Sequence, residues 1–360
     1  MNEQTFIRIE HLTKAFGKTV AADDLSLTVD KGSFTTLLGP SGCGKTTALR
    51  LIAGFAQPDK GQIYIGEQLI NDVPPHRREV AMVFQSYALF PHLNVFNNIA
   101  YGLKLRKVSR SKRKERVEEV LKLVELQGME DRQISQLSGG QQQRVALSRA
   151  LAISPKVLLM DEPLSNLDAK LRVSVRNQIR AIQQRLGITT IYVTHDQEEA
   201  FSLSDRIAIM RDGRLQQIGT SWEIYHNPRN QFVADFMGMT NFVKAKIETV
   251  GKESVVLNTP GGRLAMFREK DLEFSIGQDI LVTIRSEGIE VNKHTPVSRA
   301  DNTLKGEVKQ YSYTGKTVKY WVNVGEGMTL ITEHPDPKEI LTGKVYLTFD
   351  KSCICPIPIK

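Results

Sequence analysis

Cysteine is scarce, with three residues in a chain of 360. That is too few for a disulfide framework and fits a reducing compartment. No apolar run approaches the roughly 18–20 residues that a membrane-spanning helix needs. The opening MNEQTFIRIE has neither a basic n-region nor an apolar h-region, so no secretory signal is expected there. No internal repeat of roughly 20–50 residues is visible, which argues against a solenoid or a propeller. Charged residues make up 24% and hydrophobic ones 41%, a balance that excludes wholesale disorder and a coiled coil. The excess of positive charge is modest, 48 Lys+Arg against 40 Asp+Glu, or +8. It suits a nucleic acid, an anionic membrane face or a phosphorylated ligand without choosing among them. The length allows one to three domains.

The chain changes character near residue 237. Before it, short apolar runs at 80–84, 157–160, 190–194 and 207–210 read as strands. Amphipathic stretches at 113–126, 141–151 and 169–186 read as helices. This alternation predicts an α/β fold with a mainly parallel sheet. After it, period-2 segments broken by glycine occur at 244–247, 254–257, 280–284, 318–324, 329–332 and 345–349. Short strands with frequent turns predict a small all-β barrel or sandwich. Two domains are therefore expected, 1–236 and 237–360, with a hinge at 236–241.

Gly39, Pro40, Ser41, Gly42, Cys43, Gly44, Lys45 and Thr46 match G-x-x-x-x-G-K-[ST] in full. A strand is expected just before them, over 34–38. Thr47 opens an expected helix over 47–53, stopped by Gly54. That context is the one a phosphate-binding loop requires. The glycines let backbone N–H groups face a phosphate at a helix N-terminus. Lys45 is placed for the β and γ phosphates, and the Thr46 hydroxyl for Mg²⁺. Cys43 sits inside this loop, so a bulky thiol reagent is expected to abolish hydrolysis, with ATP protecting.

The apolar run 157–160 ends in Asp161 and Glu162. Carboxylates at the C-terminal end of a parallel strand sit where doubly wound sheets bind ligands. Asp161 suits the Mg²⁺ shell, and Glu162 suits a general base acting on water. The bland alternative is an acidic N-cap with Pro163 at the first helical position. A second anion site is expected where Ser138 and Gln141 form an S-x-x-Q capping box around Gly139 and Gly140. Two glycines in a first helical turn carry a propensity cost, which makes sense if an anion must approach.

LSGGQQQRVALSRAL, at 137–151, resembles the signature motif of ABC-type ATPases. The phosphate loop, the LLMDEP strand and the SNLD segment resemble that family's other motifs, in its order, over about residues 5–236. The resemblance implies a P-loop ATPase fold with a helical subdomain at about 87–155. It implies a homodimer, with each ATP held between the phosphate loop of one copy and the signature helix of the other. Gln85 matches the glutamine that reaches Mg²⁺ and the water. Asp168 matches the loop that crosses the dimer seam, and His195 the histidine that contacts the γ-phosphate. Phe16 matches the aromatic residue that stacks on adenine, although a lone Phe can equally be core.

The resemblance also implies a partner. In the family the aromatic stretch 86–101 and the helices beside it receive a membrane subunit, which makes Leu89, Phe90 and Pro91 docking candidates. The basic run 104–116 reads as a solvated face, with anionic headgroups as the alternative. Arg285, Ser286 and Glu287 resemble the Arg-Pro-Glu segment in the OB-like C-terminal domains of importers for maltose, sulfate, polyamines and ferric iron. Ser286 replaces the usual Pro. The C-terminal region lacks a dense aromatic and basic face, so no nucleic acid is expected there. Cys353 and Cys355 form a C-x-C with no other Cys nearby, a poor metal site.

The expected function is thus ATP hydrolysis energising an importer, at the cytoplasmic face of the membrane. Two membrane-spanning permease subunits are expected, with an extracytoplasmic solute-binding protein beyond them and ferric iron or a polyamine as solute. The rival is an ABC ATPase acting on nucleic acid or the ribosome. Against it, only about 90 residues separate phosphate loop from signature, with no coiled coil, and there is one ATPase domain. A GTPase is disfavoured because no Asn-Lys-x-Asp motif is present.

Overall fold

The computed structural model describes residues 5–238, 240–269, 272–295, 301–325, 327–335 and 339–357. The chain divides into two compact units, 1–221 and 222–360. In the first, the order is β1 (Thr5–Phe16), β2 (Thr19–Asp30), β3 (Phe34–Leu38), α1 (Lys45–Ala53), β4 (Lys60–Ile65), β5 (Gln68–Leu69), β6 (Val80–Val83), α2 (Val95–Leu105) and α3 (Arg110–Leu123). There follow α4 (Gly139–Ala152), β7 (Val157–Asp161), α5 (Ala169–Leu186), β8 (Thr189–Thr194), α6 (Gln197–Leu203), β9 (Arg206–Arg211) and β10 (Arg214–Gly219).

The main sheet runs β10-β9-β3-β8-β7-β6, parallel except for the β10 edge. Strands β3, β7 and β8 are buried along their whole length, as a sheet covered on both faces requires. A second sheet, β2-β1-β4-β5, is antiparallel. Strand β1 escaped the sequence reading because bulges and a left-handed His11 (φ +50°) break its period-2 pattern.

Helix α5 occupies the predicted span and ends at Gly187 in the left-handed conformation. Helix α1 starts two residues earlier than expected, at Lys45. Helix α3 is displaced to Arg110–Leu123, because the Ser109 side chain caps it and Glu125, at φ +57°, ends the chain's helical path. Much of the basic run is therefore helical. Two of its arginines are not simply solvated, since Arg106 and Arg116 donate to the carbonyls of Ile153, Ala152 and Leu151 at the C-terminus of α4. Cations there satisfy orphan carbonyls and oppose the helix dipole.

Arg78 does the same for α1 from a buried position. Its guanidinium donates to Leu51 O (2.7 Å), Ile52 O (3.0 Å), Val73 O (2.6 Å) and Asn71 O (3.0 Å). A Cβ on Gly54, which caps that helix, would lie 2.6 Å from Arg78 Nε, so the glycine makes room for the arginine.

The second unit begins within α7 (Ser221–His226), followed by α8 (Gln231–Phe236). Ten strands follow: β11 (Thr240–Val250), β12 (Ser254–Thr259), β13 (Gly262–Phe267), β14 (Asp279–Arg285), β15 (Glu290–Asn292), β16 (Asn302–Tyr313), β17 (Thr317–Gly325), β18 (Met328–Pro335), β19 (Gly343–Phe349) and β20 (Ile354–Ile357). They form two antiparallel sheets, β13-β12-β11-β14-β20 and β15-β19-β16-β17-β18, around one core that includes Leu257, Val282, Tyr320, Val322 and Leu347. Met239 of the expected hinge lies outside the described residues.

Buried Asn241 ties these two sheets together. Its Nδ2 donates to Ile284 O (3.0 Å) and Ile331 O (2.8 Å), and its Oδ1 accepts from Ile331 N. Arg285 lies over the Tyr225 ring, 4.0 Å from its centroid, and donates to the Tyr225 carbonyl. Ser286, where a proline was expected from the resemblance, is buried and donates to Glu287 Oε2 at 3.1 Å. Burial pushes the Glu287 carboxyl up.

Candidate functional site

The C-terminal ends of β3, β6, β7 and β8 lie along one edge of the parallel sheet, and the loops leaving them carry the polar residues singled out above. In the phosphate loop, Gly42 and Gly44 have φ of +81° and +99°, a region glycine enters without strain. Packing demands the same residues. A Cβ on Gly44 would sit 2.0 Å from Ala21 O, and one on Gly39 2.3 Å from Met210 O. No side chain caps the start of α1, which leaves its first amide groups to an anion. Lys45 is buried and arches back over the loop, donating to Gly39 O (2.7 Å) and Pro40 O (2.9 Å).

Cys43 is buried as well. Burial raises its thiol above the ordinary range, with Lys45 pulling partly the other way. A bulky thiol reagent is still expected to abolish hydrolysis, but to react slowly, because little thiolate is present at neutral pH.

Asp161 ends β7 and is 7% exposed. Thr46 Oγ1 donates to Asp161 Oδ1 at 2.8 Å. Burial pushes the Asp161 carboxyl up, while Thr46, Arg50 and Lys45 hold it back. The next residue, Glu162, has φ +44°. For a side chain other than glycine this left-handed conformation costs about 1–2 kcal/mol and persists only where its surroundings fix it. Here Glu162 N donates to Val193 O at 3.0 Å. The turn aims the carboxylate between two loops. Gln85 Nε2 donates to Glu162 Oε2 at 3.3 Å, and His195 Nδ1 lies 3.3 Å from Glu162 Oε1. Pro163 opens no helix, so the plain N-cap alternative for this pair is excluded.

Two neighbours were not singled out from the sequence. Ser165 Oγ accepts from Gln85 Nε2 (3.3 Å), and Asn166 Nδ2 donates to Gln85 O (2.9 Å). They belong to the SNLD segment, whose serine and asparagine were the available signal. Asp168 caps α5, accepting from Leu171 N at 2.9 Å.

The capping box of α4 is present. Ser138 Oγ accepts from Gln141 N and Gln141 Oε1 from Ser138 N. Its two glycines differ. Gly139 is exposed, whereas Gly140 is buried and a Cβ there would lie 2.8 Å from Leu171 Cδ2. Gly140 thus has a packing reason of its own. Phe16 is 55% exposed with Lys14 Nζ 5.4 Å from its ring centroid, which excludes the core alternative.

A groove of about 990 Å³ opens among α2, α3 and the loop before α2, lined by His92, Phe96, Tyr101, Lys104, Arg113 and Glu130. Buried Asn98 shapes that loop, accepting from Phe90 N and donating to Phe90 O, Leu93 O and Asn94 O. Of the docking candidates, Leu89 packs on the core, and Phe90 packs on Tyr101 with ring centroids 4.5 Å apart. Pro91 is exposed.

The chain matches the ABC transporter family over residues 22–165 and the TOBE domain over residues 282–350. It is 45% identical to a spermidine/putrescine import ATP-binding protein, PotA, of Rubrobacter xylanophilus, over 92% of this chain and 87% of the relative. It is 44% identical to an Fe(3+) ions import ATP-binding protein, FbpC 1, of Haemophilus influenzae, over 92% of this chain and 98% of the relative. Among solved structures, an ATP-binding cassette described as a dimer bound to ADP and Pi superposes with a TM-score of 0.54 at 31% identity. That alignment covers 59% of this chain and 98% of the cassette. Among the described residues no helix is long and apolar enough to cross a membrane. Fold, motif geometry and relatives agree, and the chain belongs to the ATP-binding subunits of ABC importers, the ATPases that energise uptake.

Proposed function

We propose that the chain acts as a homodimer with two composite ATP sites, Mg²⁺-dependent, at the cytoplasmic face of a membrane. It would drive two permease subunits fed by an extracytoplasmic solute-binding protein. The observation that carries the hydrolytic part is the convergence on Glu162 of Gln85 and His195, next to the Thr46–Asp161 pair.

Each group then has a role. Backbone amides of 39–47 and Lys45 hold the phosphates. Phe16 stacks on the adenine. Thr46, Asp161 and Gln85 offer hard oxygen donors, the set Mg²⁺ takes. Bound there, Mg²⁺ would neutralise charge on the β and γ phosphate oxygens. Glu162 takes a proton from the water that attacks the γ-phosphorus in line. The bond from that phosphorus to the β–γ bridging oxygen breaks, and ADP leaves with the electron pair. His195 donates to the γ-phosphate. Ser138, Gly139, Gly140, Gln141 and Asp168 act across the dimer seam, on the ATP held by the other copy.

The solute is ferric iron or a polyamine, the two cargoes named for the relatives cited. The groove beside α2, with its aromatic floor and mixed charge, is where a permease segment docks. The test is purification from gently solubilised native membranes, with mass spectrometry of what accompanies the chain. Two membrane-spanning subunits and a solute-binding protein that takes up ferric iron or a polyamine are expected. Recovery only with ribosomal or DNA-associated proteins would overturn the transport reading and leave the ATPase chemistry standing.

A further inference from the structure

Arg172 lies on α5, one turn past Asp168, and its guanidinium meets two loops at once. Nη2 donates to Leu167 O at 3.2 Å, the carbonyl just before Asp168. Nη1 donates to Asp196 Oδ2 at 3.4 Å, and Nε is 3.9 Å from Glu199 Oε1. Asp196 directly follows His195. Glu199 is 3% exposed, and its other oxygen accepts from Tyr192 OH (2.7 Å) and Thr194 Oγ1 (2.8 Å), on the strand that leads into His195. Both chain neighbours of His195 are therefore bonded into one cluster, since Asp196 N also donates to Thr194 Oγ1 at 3.0 Å. Two carboxylates so close, one of them buried, need a cation, and Arg172 supplies it, bonded to Asp196 and within ion-pair distance of Glu199. A polar cavity of about 50 Å³ lies among Glu162, Ser165, Arg172, Thr194, His195 and Glu199, so the cluster reaches to the carboxylate proposed as base.

We infer that Arg172 is a positioning residue that couples the loop at Asp168 to the loop at His195, so that a shift at the dimer seam moves the histidine. This rests on the roles proposed above for Asp168 and His195. The planar guanidinium bonds Leu167 O through one nitrogen and Asp196 through another while its charge faces Glu199, whereas an ammonium gathers its donors at one point, so charge alone does not replace it.

The experiment measures steady-state hydrolysis of Mg-ATP by the full chain, comparing Arg172→Lys, His195→Ala and the double variant. Arg172→Lys is expected to lower kcat about tenfold with KM for ATP within about twofold, and His195→Ala to lower kcat by itself. Because both act through one histidine, the double variant should fall no more than about twofold below His195→Ala. Asp196→Asn, which keeps a capping side chain on α6 but loses the ion pair, should repeat the pattern and serves if Arg172→Lys does not fold. Wild-type turnover in His195→Ala would remove the reading of His195 and this inference with it. An impaired His195→Ala beside a wild-type Arg172→Lys, losses that multiply, or a rise in KM at constant kcat would overturn the coupling role of Arg172 alone.

Discussion

Replacing Glu162 separates three effects that meet at one residue. Glu162→Gln keeps the length of the side chain and an oxygen to accept from Gln85 Nε2, so the local hydrogen bond survives. It removes the proton acceptor. Loss of a general base costs about 10²–10⁴ in kcat, or about 2.7–5.5 kcal/mol of barrier. Nucleotide affinity should be kept within about threefold, because the phosphates are held by other groups. The Glu162 charge also helps push the neighbouring Asp161 carboxyl up. A carboxyl whose folded pKa exceeds its unfolded one weakens the fold as pH rises from the unfolded value through the folded one. Glu162→Gln narrows that interval, so a gain in stability is expected above the ordinary carboxylate range and none at lower pH. Glu162→Gly should be equally inactive. It relieves the φ of +44°, worth about 1–2 kcal/mol, against the about 0.5–1 kcal/mol that glycine loses in flexibility on folding. The net, about 0–1.5 kcal/mol, would raise the melting temperature of the first unit by up to about 6 °C. Phosphate release, equilibrium binding of labelled ATP and thermal melts at two pH values read all three. Glu162→Gln turning over at the wild-type rate would refute the base assignment, and Glu162→Gly melting well below it would refute the strain.

Other perturbations test separate parts of the site. Arg78→Ala strands four carbonyls, two of them at the end of α1, and should cost about 2–4 kcal/mol in urea unfolding, with Arg78→Lys recovering only part. Gly139→Ala should leave stability unchanged or raise it by up to about 1 kcal/mol while lowering hydrolysis; unaltered turnover would mean that no anion approaches there. Gly140→Ala should destabilise by about 1–3 kcal/mol through contact with Leu171, and less in a Leu171→Ala background. Maleimide should modify Cys43 slowly at neutral pH and faster as pH rises, with ATP protecting; protection by AMP alone would place the cysteine away from the β and γ phosphates.

The features readable from sequence are those whose physics is local. The Ser138 box and the Gly187 stop each bring their own partners within four residues, and the phosphate loop announces itself through a contiguous run of residue types. Helix α2 was hidden, because its apolar stretch runs straight into the aromatic loop before it and Asn94, its cap, gave no clear break. Strand β16 was missed for the opposite reason, since its second half is polar and exposed. Arg78 and Arg172 were illegible in principle. Each looks like an ordinary surface arginine until the fold brings distant carbonyls and carboxylates to it.

The order of the main sheet has a consequence for how the chain is made. Strand β3, which carries the phosphate loop, pairs with β8 and β9 and with no strand close to it in sequence. At about 5–20 residues per second, the roughly 170 residues between them take about 10–30 s to synthesise. Through that interval a five-residue strand destined for burial, FTTLL, waits on the ribosome without its neighbours. The packing around residues 39–46 is complete only when β9 arrives, since Met210 O lies close over Gly39. The nucleotide is therefore a late guest. A nascent chain is expected to bind ATP only once almost the whole first unit has emerged, and a stalled translation product ending before residue 206 should be inert toward nucleotide and hungry for chaperones.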